Sequence, residues 1–117
     1  MTQASMGLIG TGTMGSALAL NIAENGHDIA IWNLDLSAVD LLIASAGDLA
    51  SRLVKCDKII NLVHNLAAPR AIILLVPAGK AVDRCIDELL PLLSPGDTII
   101  DGGNSDFREE RRSVSDG

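Results

Sequence analysis

A glycine-rich hexapeptide, Gly10-Thr11-Gly12-Thr13-Met14-Gly15, stands between a short apolar run, Met6-Gly7-Leu8-Ile9, and a stretch of helical period. Placement is what gives it force, since glycine-rich turns occur in many loops for steric reasons alone. Between a strand and a helix the three glycines fit one arrangement. Gly10 permits a tight turn, Gly12 leaves the backbone open to a pyrophosphate, and Gly15 lets the helix pack close to the strand. The free N–H groups and positive dipole end of the helix then face the phosphates. A purely structural turn is the alternative.

Further along, apolar runs alternate with helical periods. Met14, Ala17, Leu18 and Ile22 recur at three and four residues, predicting one inward helix face from Thr13 to Asn25. Asn25-Gly26 closes that helix, with glycine supplying the left-handed residue. Asp28 to Asn33 reads as the second strand, and Leu36 to Ala46 as a helix with Ser37 as its candidate cap. Arg52 to Lys55 is a weak third strand. Asp57 is the expected N-cap of a helix carrying Ile60, Val63 and His64 towards Leu66. Pro69 ends it, and the continuous apolar run Ala71 to Val76 predicts a strand buried on both faces. Gly79 to Leu93 is an amphipathic helix through Val82, Ile86, Leu89, Leu90 and Leu93. Ser94-Pro95-Gly96-Asp97 is a turn and Thr98 to Asp101 the fifth strand. Beyond Gly102-Gly103-Asn104-Ser105, a polar helix is expected from Asp106 or Phe107. This alternation predicts an α/β fold: a doubly wound, Rossmann-type parallel sheet with helices on both faces and strand order 3-2-1-4-5. At 117 residues, residues 1–117 read as one dinucleotide-binding domain.

Charge narrows the partners. With 15 acidic residues against 9 basic, the net charge of −6 argues against nucleic acid and anionic membranes, both of which need clustered cations. No apolar run approaches the roughly 20 residues of a membrane-spanning helix, and no secretory signal opens the chain, so a cytoplasmic location is expected. Cys56 and Cys85 read as buried thiols, not as a disulfide or a metal site. Every Lys and Arg lies at or after Arg52; before it stand only Glu24, Asp28, Asp35, Asp40 and Asp48.

That asymmetry bears on the end of the second strand, Asn33-Leu34-Asp35, where dinucleotide folds read the adenosine ribose. An acid there accepts hydrogen bonds from the ribose hydroxyls of NAD, whereas the 2′-phosphate of NADP needs a cation. The stretch offers Asp35 and no cation. Asp35 is also placed to cap the following helix, a role compatible with ribose contact. Val76-Pro77-Ala78-Gly79 and Asp101-Gly102-Gly103-Asn104-Ser105 leave the carboxyl ends of strands four and five, where ligands bind. Their small residues let a flat ring lie on the backbone. Asn104 offers donor and acceptor, or is simply a turn residue. His27 and His64 have no partner pattern and read as solvated or helix-end residues. The cluster Arg108, Glu109, Glu110, Arg111, Arg112 reads as a solvated helix face.

The runs GLIGTGTMG, LALNIAENGHDIAIWN, PRAIILLVPAGKAVD and LLSPGDTIIDGGNSDFREERR together resemble the N-terminal coenzyme domain of the 6-phosphogluconate dehydrogenases, from Met6 to Arg112. The stretch IIDGGNSDFR is far more specific than the glycine motif. The resemblance implies that Gly10, Thr11, Gly12, Thr13, Met14 and Gly15 hold the cofactor pyrophosphate. It also implies that Asn33, Leu34 and Asp35 meet the adenosine ribose and that Val76, Pro77 and Ala78 line the nicotinamide side. Asn104 would touch both cofactor and sugar phosphate. In the family, which is dimeric at full length, hydride passes from 6-phosphogluconate to NADP, and loss of CO2 gives ribulose 5-phosphate.

Three departures accompany the resemblance. Leu34 stands where the family usually has an Arg that grips the 2′-phosphate, and Ala38 replaces a common Lys. Together with Asp35, they tilt the site towards NAD. Pro77 replaces a frequent Lys or Gln beside the nicotinamide. The family's catalytic Lys and Glu, its Ser-Gly-Gly substrate loop and its helical domain have no counterpart here, and neither Lys80 nor Glu109 matches the catalytic motif. The chain is therefore expected to be an inactive cofactor-binding fragment. Two other readings are a stand-alone nucleotide-binding module and a β-hydroxyacid dehydrogenase of the 3-hydroxyisobutyrate type.

Overall fold

Residues along each short strand point alternately into two cores, one on either face of the sheet. The computed structural model describes residues 4–76, 80–101 and 110–113. Within them lie β1 (Met6–Ile9), α1 (Thr13–Glu24), β2 (Ile29–Trp32), α2 (Leu36–Ser45), β3 (Leu53–Lys55) and α3 (Ile59–His64). There follow β4 (Ala71–Leu74), α4 (Lys80–Leu89), β5 (Thr98–Asp101) and β6 (Glu110–Ser113). The strands form one sheet in the order β3-β2-β1-β4-β5-β6. β1 to β5 are parallel, with Leu8 opposite Ile31 on one side and Ile73 on the other. The expected order 3-2-1-4-5 is thus the observed one.

Leu8, Ile29, Ile31 and Ile73 face α1 and α2, packing with Ala19, Ala23, Val39 and Leu42. Their neighbours Ile9, Ala30, Ile72 and Leu74 face α3 and α4, packing with Leu62, Val63, Ile86 and Leu89. Each large side chain so buried contributes about 1.5–3 kcal/mol. Both faces are covered, as the apolar strands require. Among the described residues no helix is long and apolar enough to cross a membrane.

Several local expectations are corrected. The inward face of α1 is Gly15, Ala19 and Ala23, while Leu18 and Ile22 flank it and Met14 is 71% exposed. Small residues face inward because this helix packs too close to the sheet for large ones. Ser37 does not cap α2: Asp35 does, its carboxylate accepting from the Ser37 N–H. Nor does Asp57 cap α3, which begins from Lys58 without a side-chain cap. α4 ends at Leu89 and tightens into a 3-10 turn over Leu90–Leu92, which leaves Leu90 exposed. A second 3-10 turn, Gly47–Arg52, follows α2 where periodicity carries no helical signal. Finally, Glu110–Ser113 is a strand, antiparallel to β5, where a polar helix is expected. β5 would otherwise present unpaired backbone groups along that edge, and pairing satisfies them. The expected start of that helix lies outside the described residues.

The amino ends of β4 and β5 are tied by a buried ion pair. Asp97, 1% exposed, accepts from the Arg70 N–H at 2.6 Å, the Arg70 guanidinium at 3.1 Å and the Ser94 N–H at 2.8 Å. Arg70 also donates to the Val63 carbonyl, so the cluster joins α3 to both strands. Burial alone would raise the Asp97 carboxyl, but the Ser94 and Arg70 N–H groups and the Arg70 charge hold it below its ordinary value.

Candidate functional site

The chain leaves β1 towards α1 on one face and β4 towards α4 on the other, so a crevice opens at their carboxyl ends. The glycine loop sits in this crevice. Its first residue is clamped on both sides. The Gly10 N–H donates to the Trp32 carbonyl at 3.0 Å, and the neighbouring Ile9 carbonyl accepts from Leu75 at 2.8 Å. Gly10 has φ +107, and a Cβ on it would collide with the Leu75 carbonyl oxygen. Only glycine fits there without strain. A Cβ on Gly15 would collide with the Gly10 carbonyl oxygen, so Gly15 sets how closely α1 approaches the turn.

Gly12 differs from both. A Cβ there would meet nothing within 4 Å. Gly12 is the N-cap residue of α1, and no side chain caps that end. The first-turn N–H groups therefore lack intrahelical acceptors and border open space. Beside them the buried Thr11 hydroxyl has no hydrogen-bond partner among the described residues. Such a group is costly unless something completes it. Met14 is exposed in this first turn.

Asn33 braces the loop from β2. Its Oδ1 accepts from the Thr11 N–H at 3.1 Å, and its Nδ2 donates to the Asp35 carbonyl at 3.0 Å. This bridge spans 22 residues and had no signal in the sequence. Asp35 Oδ1 accepts from both the N–H and the hydroxyl of Ser37, at 3.0 and 2.6 Å. Those bonds, the hydroxyl's first, hold its carboxyl below the ordinary value. No described residue bonds Oδ2, so capping leaves that oxygen available. Leu34 stands 84% exposed between them.

A cavity of about 250 Å³ continues from this end, with Trp32, Asn33 and Leu34 on one side and Arg84 and Glu88 of α4 on the other. Val76, expected on the nicotinamide side, lines this same cavity. Pro77, Ala78 and Asn104 lie outside the described residues. His27 is exposed, His64 closes α3, and neither lines the cavity. Both cysteines are buried and free; burial pushes the Cys56 thiol up to about 11 and raises that of Cys85. Neither is a reactive thiolate.

The parallel sheet, the crevice at its switch point and the open glycine turn define a dinucleotide-binding domain of Rossmann type. The family description "NAD binding domain of 6-phosphogluconate dehydrogenase" matches residues 5–116, and the chain belongs to that family. It is 44% identical over 111 residues to the decarboxylating 6-phosphogluconate dehydrogenase of Treponema pallidum, covering 95% of this chain and 22% of that protein. The chain spans under a quarter of the length of such curated relatives, 22–24% in the first two. A solved 6-phosphogluconate dehydrogenase from Plasmodium falciparum, described with its cofactor NADP+ and its substrate 6-phosphogluconate, superposes with a TM-score of 0.75. That likeness holds at 34% identity and covers 81% of this chain and 20% of the other. A 3-hydroxyisobutyrate dehydrogenase from Mycobacterium tuberculosis shares the fold alone, with a TM-score of 0.63 at 20% identity, over 84% of this chain and 31% of that one.

Proposed function

We propose that this chain is the coenzyme-binding part of a decarboxylating 6-phosphogluconate dehydrogenase, with Gly10 to Gly15 holding the pyrophosphate of a nicotinamide dinucleotide. One observation carries this reading. The space over Gly12 is bounded by unbonded helix N–H groups and a buried, unpartnered Thr11 hydroxyl. Those groups suit a phosphate, which supplies acceptors to every one of them. The dinucleotide, when bound, supplies the hydride acceptor. The chain's own residues orient it: Asn33 fixes the loop, Asp35 Oδ2 meets ribose hydroxyls, and the cavity beside Leu34 takes the adenosine. Val76, on that cavity's wall, would lead with Pro77 and Ala78 towards the nicotinamide, and Asn104 would touch cofactor and sugar phosphate together.

Without a cation on β2, the ribose end suits NAD better than NADP. Titrating NADH and NADPH against Trp32, the only tryptophan, is expected to show NADH binding tighter. Trp32 borders the cavity, so its emission reports occupancy there. Leu34→Arg is expected to shift the ratio of affinities towards NADPH by roughly 10-fold or more, the scale of one charge-assisted hydrogen bond. An unchanged ratio would place the 2′-phosphate away from Leu34.

Conversion of 6-phosphogluconate is proposed for the longer enzyme, not for these 117 residues alone. Lys80 lies on an exposed patch with Asp83, Arg84 and Asp87, not in the cavity beside Leu34. The purified chain is expected to bind dinucleotide and yet produce no NADPH or NADH from 6-phosphogluconate in an absorbance assay. Measurable turnover would require a proton-transfer group within it.

A further inference from the structure

The ribose end of the site is lopsided in charge. β2 supplies Asp35 and an exposed Leu34, and the cation that would meet a 2′-phosphate is missing from that side. The cations from Arg52 to Arg84 can be placed one by one. Arg52 donates to the Gly26 carbonyl and pairs with Asp28, at the amino ends of the strands and away from the crevice. Arg70 is held by Asp97 at that same end. Lys55 pairs with Asp40 of α2 at 2.9 Å. Lys58 precedes α3, and Lys80 lies on an exposed patch of α4 that it shares with Asp83, Arg84 and Asp87; neither lysine lines the cavity. Arg84 alone among them lines the cavity together with Asn33 and Leu34.

Arg84 is exposed and makes no ion pair or side-chain hydrogen bond among the described residues, although Glu88 stands one turn further along α4 on the same wall. Its guanidinium is therefore uncommitted, with a planar fork that matches phosphate oxygens. We infer that Arg84 is a specificity-determining residue: it reaches across from α4 to meet the 2′-phosphate of an NADP-type dinucleotide, supplying the cation that β2 lacks. This rests on the dinucleotide reading above. Arg84 narrows the NADH preference set by β2 and does not reverse it. Glu88 in the cavity wall and Asp35, next to Leu34 in the chain, oppose a phosphate, which keeps the gain modest.

The test compares NADH and NADPH binding to the 117-residue chain and its Arg84→Gln and Arg84→Lys variants, by Trp32 fluorescence at low and high salt. For Arg84→Gln, NADPH is expected to bind about 10-fold more weakly while NADH stays within about twofold. Arg84→Lys should recover part of the loss, and the difference should shrink as salt screens the exposed pair. Equal weakening of both nucleotides would overturn the inference, because Arg84 would then act on the adenine or the cavity wall. Unchanged NADPH binding would overturn it too, assigning the phosphate to another cation. If the unaltered chain binds neither nucleotide, the dinucleotide reading itself fails. Binding of both with no Arg84 effect sinks the inference alone.

Discussion

Alanine at Gly15 and alanine at Gly12 are expected to fail in opposite ways. At Gly15 the added carbon would collide with the Gly10 carbonyl oxygen. α1 would have to move off the turn, pulling Ala19 and Ala23 from the core against Leu8. Gly15→Ala should lose about 3 kcal/mol of stability, at the upper end of overpacking costs. At Gly12 the backbone, with φ −67 and ψ −169, suits any residue, and the added carbon meets nothing. Gly12→Ala, which exchanges a tolerated N-cap residue for a poorer one, should unfold within about 1 kcal/mol of the unaltered chain. Its nucleotide affinity should nevertheless drop at least ~10-fold, because the carbon occupies the space assigned to the pyrophosphate. Urea denaturation and NADH titration separate the two effects. Undiminished binding by folded Gly12→Ala would remove the pyrophosphate from that position.

Asp97→Ala should produce the other large effect, at the opposite end of the sheet. Its removal strips the acceptor from two backbone N–H groups and from the Arg70 guanidinium. Breaking a buried pair from one side costs about 3–5 kcal/mol, a large share of the roughly 5–15 kcal/mol that a domain possesses. The pH dependence has a definite sign. The folded carboxyl titrates below its ordinary value of 3.8. Its stabilisation is therefore complete above that value and is lost as pH falls through the lower, folded one. The unaltered chain should lose stability below about pH 4, and Asp97→Ala should show a shallower decline there. Urea midpoints measured at neutral and acidic pH check both statements. A midpoint unchanged by Asp97→Ala at neutral pH would reduce the cluster to a surface contact.

The strands and their order were legible because continuous apolar runs such as Ala71 to Leu74 have few alternatives, and right-handed crossovers then leave little choice of order. The glycine turn was legible for a similar reason: two of its three glycines answer to contacts with neighbouring backbone, and the third answers to open space. Polar contacts made across the fold left no local trace. Asn33 reaches Thr11 over 22 residues, and Asp97 reaches Arg70 over 27. Asp97 lies in Ser94-Pro95-Gly96-Asp97, where its residue type already fits a turn, so nothing marked it as buried. Glu110–Ser113 misleads because its charged residues suit an exposed helix as readily as an edge strand. Arg84 has the same ambiguity, since only the fold, which sets α4 across from Trp32 and Asn33, brings it to the cavity beside Leu34.

The two ends of β4 answer to different pressures. Four residues separate the Arg70–Asp97 anchor from the crevice, a span of roughly 13 Å at strand rise. Substitutions that far apart and without shared partners tend to act additively. Exchanges at Leu34 or Arg84 can therefore accumulate in a lineage with little stability debt, while the anchor stays unchanged. On the coenzyme reading proposed above, a descendant could change coenzyme in one or two such steps.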